Sequence, residues 1–187
     1  LKRVALAGGP VDGADVIEIG PGPGGLTRAL LDNGVRKLVC VEMDDRFAEA
    51  LLSWPEASQG RLAVHKGDAT AIDWPAFIDE HGLGQNIKII ANLPYNVGTP
   101  LFVGWLNQMS LFGTMSLMFQ KEVAQRICAK PGSNHYGRLA VLSHAVIEPR
   151  MAFTLPPGAF KPPPKVASAV VSAKPLAEDK VYPHLDA

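Results

Sequence analysis

The chain has 187 residues, about one domain by ordinary domain size. Eighteen Lys and Arg balance eighteen Asp and Glu, so the molecule as a whole has no charge attraction for nucleic acid or an anionic membrane. A hydrophobic fraction of 47% supports a real core and excludes a disordered chain, and no apolar run approaches the roughly 20 residues of a membrane span.

In chain order, short apolar runs of strand length alternate with helical patterns. Strands are predicted at 16–20, 37–41, 62–66, 87–91, 114–119, 150–155 and 166–174, most of them bounded by Gly, Pro, Asn or Asp. Helices are predicted at 25–33, with Gly34 as a stop, and at 45–52. Further helices are predicted at 99–108, opening with a Thr99 cap before Pro100, at 121–130 and at 137–146. The alternation implies an α/β fold with a mostly parallel sheet and helices on both faces. The last two strands are joined by a Pro-rich loop without a helix, which implies an antiparallel pair at one edge. The tail from Pro175 to Ala187 reads as a linker.

Ligands of such sheets bind at the carboxyl ends of the strands, so the residues there carry the chemistry. After the first strand comes Glu18-Ile19-Gly20-Pro21-Gly22-Pro23-Gly24-Gly25-Leu26. The glycines, Gly20, Gly22 and Gly24 among them, let the backbone turn tightly and approach a ligand. Four glycines and two prolines exceed what an ordinary strand–helix turn requires. Glu42, at the end of the second strand, can accept hydrogen bonds from both ribose hydroxyls of an adenosine-containing cofactor. Spacing alone does not separate a dinucleotide from S-adenosylmethionine. Pro21 and Pro23 lack the N–H groups a diphosphate needs, and Glu18 adds negative charge, which suits a sulfonium and an ammonium. The balance favours S-adenosylmethionine. After the third strand, Asp68 can accept from an adenine amine while the Ala69 N–H reaches a ring nitrogen. A plain Gly-Asp turn explains that pair equally well in isolation.

The most specific signal is Ala91-Asn92-Leu93-Pro94-Tyr95-Asn96, after the fourth strand. An exocyclic amine on a base is a poor nucleophile because its lone pair is delocalised into the ring. The Asn92 side-chain oxygen and the Leu93 carbonyl can accept its two hydrogens and turn the lone pair toward a sulfonium methyl. Pro94 fixes the turn, and Tyr95 can stack on a flipped-out base.

Together with Thr27, Glu42-Met43-Asp44 and Gly67-Asp68-Ala69, these elements resemble the ribosomal RNA adenine dimethyltransferases of KsgA type. The late segment from Phe160 to Val171 is similar to the loop before that family's last strand. The likeness runs from about Leu1 to Lys174. It implies a Rossmann-like, S-adenosylmethionine-dependent methyltransferase fold: a seven-stranded, mostly parallel sheet with the last strand antiparallel. It also implies N6,N6-dimethylation of two adjacent adenines near the 3′ end of small-subunit rRNA, in an immature 30S subunit, by a cytoplasmic monomer. By the same resemblance Gly20, Gly22, Gly24, Glu42, Met43, Asp68, Ala69 and Asn92 hold the cofactor. Asn92, Leu93, Pro94 and Tyr95 form the catalytic element, and Tyr95 and Phe160 hold the target adenine. Phe160 has an independent rationale, since an aromatic in a Pro-stiffened loop offers a stacking face worth about 1–3 kcal/mol per base. Lys161 and Lys165 could add phosphate contacts.

That family carries a Gln-Asn-Phe-Leu-type segment before this point and a small helical domain after it. The expectation is therefore a catalytic domain alone at 1–175, with 176–187 as the start of a linker. Three rivals stand beside the main reading: an Erm-type 23S rRNA adenine methyltransferase, a non-catalytic RNA-binding assembly factor of the same fold, and a nicotinamide dehydrogenase, which leaves Asn92–Tyr95 unexplained. Cys40 and Cys128 show no ligand spacing with each other or with His65, His81, His135, His144 and His184, so no metal is expected and reduced thiols are the default. Trp54, Trp74 and Trp105 read as packing residues. The segment 130–138 reads as a solvated loop.

Overall fold

The structure is a computed structural model and describes residues 1–94, 96–160 and 163–177. Its strands are β1 (Asp15–Ile19), β2 (Lys37–Glu42), β3 (Leu62–Lys66), β4 (Ile87–Asn92), β5 (Phe112–Gln120), β6 (Ile147–Leu155) and β7 (Ser168–Pro175). They form one sheet in the order β3-β2-β1-β4-β5-β7-β6. The first five pair in parallel, and β7 inserts antiparallel between β5 and β6. The inferred α/β sheet is therefore present, with the last strand antiparallel and second from the edge.

The helices are α1 (Lys2–Ala5), α2 (Gly25–Asp32), α3 (Asp45–Leu52), α4 (Pro55–Ser58), α5 (Trp74–Glu80), α6 (Gly98–Leu106), α7 (Lys121–Ile127) and α8 (Arg138–Val146). Alternating strand residues face two separate apolar layers. Ile17, Val39, Ile89 and Leu117 pack under α5, α6, α7 and α8, around Trp74, Phe102, Trp105 and Ile127. Val16, Leu38, Cys40 and Ile90 pack under α1, α2 and α3, around Val4, Leu30 and Leu51. The Ser116 hydroxyl donates to the Val4 carbonyl at 2.6 Å and ties α1 to β5. Trp54, Trp74 and Trp105 all pack against these layers.

Several boundaries differ from the sequence pattern by one to three residues, and three places have an instructive cause. Thr99 does not cap its helix: the cap position is Val97, and Thr99 lies inside the first turn of α6. Strand β6 begins at Ile147 rather than 150 and contains Pro149, which the outermost strand of a sheet tolerates because its outer edge needs no ladder donor. Leu176 donates to Val146 at 2.9 Å, so the chain stays tied to the body past β7. The rest of the anticipated linker, 178–187, lies outside the described residues. Among the described residues no helix is long and apolar enough to cross a membrane.

Strand order reverses between β1 and β4: the chain moves outward through β2 and β3, returns, and continues on the other side. Such a switch point opens a crevice at the strands' carboxyl ends. The glycine-rich turn follows β1, and Asn92 ends β4, so both stand at that crevice.

Candidate active site

The glycine-rich turn is locked by its own hydrogen bonds. Gly20, Gly22 and Gly24 have φ of +63°, +53° and +82°, a region that costs residues with a side chain about 1–2 kcal/mol each. Gly24 is constrained twice, since a Cβ there would lie 2.7 Å from Trp54 Cη2 and 2.9 Å from Leu51 Cδ2. The Gly20 N–H donates to Val41 at 2.9 Å, Gly22 to the Glu42 carboxylate at 3.0 Å and Gly24 to Pro21 at 3.0 Å. Pro21 and Pro23 have no N–H to give. From residue 20 to 24, then, every amide hydrogen is already used or absent, and the turn has nothing to offer a pyrophosphate.

Glu42 ends β2 and is 8% exposed. One carboxylate oxygen accepts from Gly22 N–H, and the other accepts from Asp44 N–H at 2.9 Å. Two backbone donors fix the rotamer and leave further lone pairs for two hydroxyl donors, the geometry a ribose diol requires. Met43, the next residue, is 72% exposed, an unusual position for a thioether and a ready apolar face for a purine. Gly67 donates to the Glu42 carbonyl at 3.0 Å, which docks the end of β3 beside it. Asp68 follows, solvent-exposed, and accepts from Thr70 N–H at 2.8 Å, capping a 3₁₀ turn at Ala69–Ala71. That amide holds its carboxyl below the usual carboxylate range. Ala69 is buried beneath it.

Glu18 is buried at the end of β1, so the negative charge that the sequence pattern gave it is weakened by desolvation. Burial raises its pKa to about 7, the Thr27 hydroxyl and the Cys40 thiol pull it down, and Glu42 pushes it up. Cys40 Sγ donates to it at 3.5 Å. Glu18 thus joins β1 to β2 and α2 beside the turn, and the case against a diphosphate rests on the occupied amides.

On the other side of the crevice, Asn92 is exposed at the end of β4. Leu93 is buried, and its side chain packs into the layer under α5 to α8 and anchors the segment. The Pro94 carbonyl accepts from Gly98 N–H at 3.0 Å and joins the turn to the start of α6. Tyr95 and Lys161 lie outside the described residues. Phe160 closes a 3₁₀ turn at Pro157–Ala159, is half-buried and packs on the layer that holds α1 and α2, which leaves part of its ring free. The sequence pattern passed over one feature of this rim, a cavity of about 300 Å³ lined by Gln120, Lys121, Gln125, Val166 and Ala167. It sits where β5 ends beside the approach to β7, two strand positions beyond Met118, the partner of Asn92. Lys121 supplies a cation there and Glu122, which also lines it, an anion.

The thiols are not reactive centres. Cys40 is buried, and burial pushes the Cys128 thiol up to about 11. The histidines show a feature that chain spacing concealed: His65 and His81 come together with Glu80, their ligand atoms all within 4.8 Å of one another.

The sequence pattern of ribosomal RNA adenine dimethylases matches residues 3–186. The chain belongs to that family. It is 49% identical over 95% of its length to the ribosomal RNA small subunit methyltransferase A of Chelativorans sp. (strain BNC1), of which it covers 64%. It thus spans a little under two thirds of such a relative. Its fold matches a dimethyladenosine transferase from Plasmodium falciparum with a TM-score of 0.78 and 29% identity, over 94% of this chain and 61% of that one. It matches the 23S rRNA methyltransferase ErmE equally well, with a TM-score of 0.78 and 26% identity, over 95% and 67% of the two chains.

Proposed function

We propose that the chain is the catalytic part of an enzyme that dimethylates N6 of two adjacent adenines near the 3′ end of small-subunit rRNA, with S-adenosylmethionine as methyl donor. The observation that carries this reading is the Asn92-Leu93-Pro94 rim of β4 facing a turn whose amides are unavailable to a diphosphate. Membership of the dimethylase family and the small-subunit relative support the substrate.

In this reading Glu42 accepts from the ribose hydroxyls, Met43 covers one adenine face of the cofactor, and Asp68 with the Ala69 amide reads the adenine edge. The turn of Gly20, Gly22 and Gly24 lies against the amino-acid end. S-adenosylmethionine, when bound, supplies an electrophilic methyl on a sulfonium. Asn92 Oδ1 and the Leu93 carbonyl accept the two N6 hydrogens of the target base and bring its lone pair out of the ring. Pro94 holds that turn rigid, and Tyr95 and Phe160 stack on the base. Positioning of this kind is a major catalytic lever, and the proton lost from the methylated nitrogen is acidic enough to leave to water. The chain acts as a cytoplasmic monomer on immature 30S particles, and residues 176–187 lead toward a further helical domain.

The ErmE likeness favours a second reading, methylation of the large-subunit rRNA. One assay separates them. The chain is incubated with labelled S-adenosylmethionine and either 30S or 50S particles that lack the modification, and nucleosides are analysed by mass spectrometry. N6,N6-dimethyladenosine in 16S rRNA is expected. Product in 23S rRNA alone overturns the small-subunit reading, and an Asn92→Ala variant that keeps its effect on 30S maturation points to an assembly factor.

A further inference from the structure

We propose that His65, Glu80 and His81 form a zinc site at the edge of the sheet, independent of the methyl-transfer crevice. His65 is the fourth residue of β3, the outermost strand on its side, and faces α5. Glu80 is the last residue of α5, and His81 follows it. One ligand atom from each converges with the others within 4.8 Å. The imidazoles of His65 and His81 meet edge-on with centroids 5.9 Å apart. Both rings stand on Phe77, at 5.2 Å and 4.5 Å.

A second observation points to a ligand. His81 Nε2 is buried and has no hydrogen-bond partner, and an orphaned buried imidazole nitrogen carries a desolvation cost that a metal removes. Gly67 also leaves room at the other ring, where a Cβ would come within 3.2 Å of His65 Nε2. Lys37 is the neighbouring cation, and its ammonium is directed to the His81 backbone carbonyl rather than to the cluster.

Two imidazoles and a carboxylate suit zinc and discriminate against magnesium, which prefers oxygen donors and retains its waters. Zinc binds such donors at about 2.0–2.2 Å, a closure within reach of side-chain rotation. Glu80 is exposed, so the fourth position opens to water. Occupancy would tie β3 to the end of α5 and so bracket the intervening segment that carries Asp68 and Ala69.

The test is calorimetric titration of the chelator-treated chain with zinc chloride, and separately with magnesium chloride. Binding of one zinc and no magnesium is expected. Glu80→Gln, a change at an exposed residue, should weaken zinc at least tenfold, and His81→Gln should weaken it further in protein whose circular dichroism is unchanged. His135→Gln should bind as the parent does. Cobalt(II) absorption should change in His81→Gln, as for the loss of one of two imidazole ligands. Absence of zinc binding overturns the site, as does zinc affinity that Glu80→Gln and His81→Gln leave intact or that magnesium matches.

Discussion

The carboxyl ends of β1 and β2 share a rim with those of β4 and β5, yet the two sides are built differently. On the β1–β2 side the Gly20, Gly22 and Gly24 amides are all engaged, and Glu42 is held by two backbone donors. Asp68 is held by a third. On the β4–β5 side Asn92 is exposed, and the cavity beside Gln120 and Lys121 is open. A small cofactor returns to its site at every turnover, so rigidity there lowers the cost of rebinding. In the proposed function a base delivered on a large RNA must be admitted first, and an open rim suits that step.

This contrast can be broken by substitution. The largest effect is expected at Asn92. If Asn92 accepts from the reacting amine as proposed, Asn92→Ala should lower kcat by about 10²–10³, the range for losing one preorganised hydrogen-bonding group, while the cofactor KM moves less than tenfold. Equal losses in both would make Asn92 chiefly a cofactor ligand.

Next comes the carboxylate beside the turn. Glu18 has a native pKa of about 7 against 4.5 in its ordinary state, because burial penalises the carboxylate. The folded chain therefore holds more protons than the unfolded chain between these values. Stability falls as pH rises through that window, by up to about 3 kcal/mol, and the penalty is complete above pH 7. Glu18→Gln should flatten this slope, measured by chemical denaturation at pH 5 and pH 8. An unchanged slope would place the titration elsewhere.

Gly24→Ala should cost about 2 kcal/mol, since the methyl meets Trp54 at 2.7 Å in a left-handed backbone. The Arg28 guanidinium lies over the Trp54 ring, 4.2 Å from its centroid, so a shift of Trp54 disturbs that contact too. A smaller loss in urea titrations would show the turn to be more pliant than its hydrogen bonds suggest. Met43→Ala is the gentlest change. The exposed thioether supports nothing in the fold, so stability should hold while cofactor affinity falls less than tenfold, the worth of one sulfur–ring contact.

Much of this was legible in the chain. All seven strands fall within three residues of their predicted starts, because each buried run is apolar and punctuated. Gly20, Glu42, Asp68 and Asn92 lie at or just past the carboxyl ends of β1 to β4, where the sequence pattern placed them. What was not legible has physical causes. Helix α5 is seven residues long, with Pro75 in its first turn and an Asp73 cap, too short for a clear helical period. Glu18 lies in a run that reads as a strand buried on both faces, but the sequence does not show that Cys40 and Thr27 are its partners. The meeting of His65 with His81 is created by α5 folding back over β3, and spacing along the chain carries no trace of it.

The most direct measurement is calorimetric titration of the parent chain and Glu42→Ala with S-adenosylmethionine and with NAD. The expected result is one S-adenosylmethionine site in the parent, none for NAD, and affinity weakened about 100-fold in Glu42→Ala, as for losing two hydrogen bonds to a charged acceptor. NAD binding by the parent, or S-adenosylmethionine affinity unchanged in Glu42→Ala, would contradict a crevice built around an S-adenosyl cofactor.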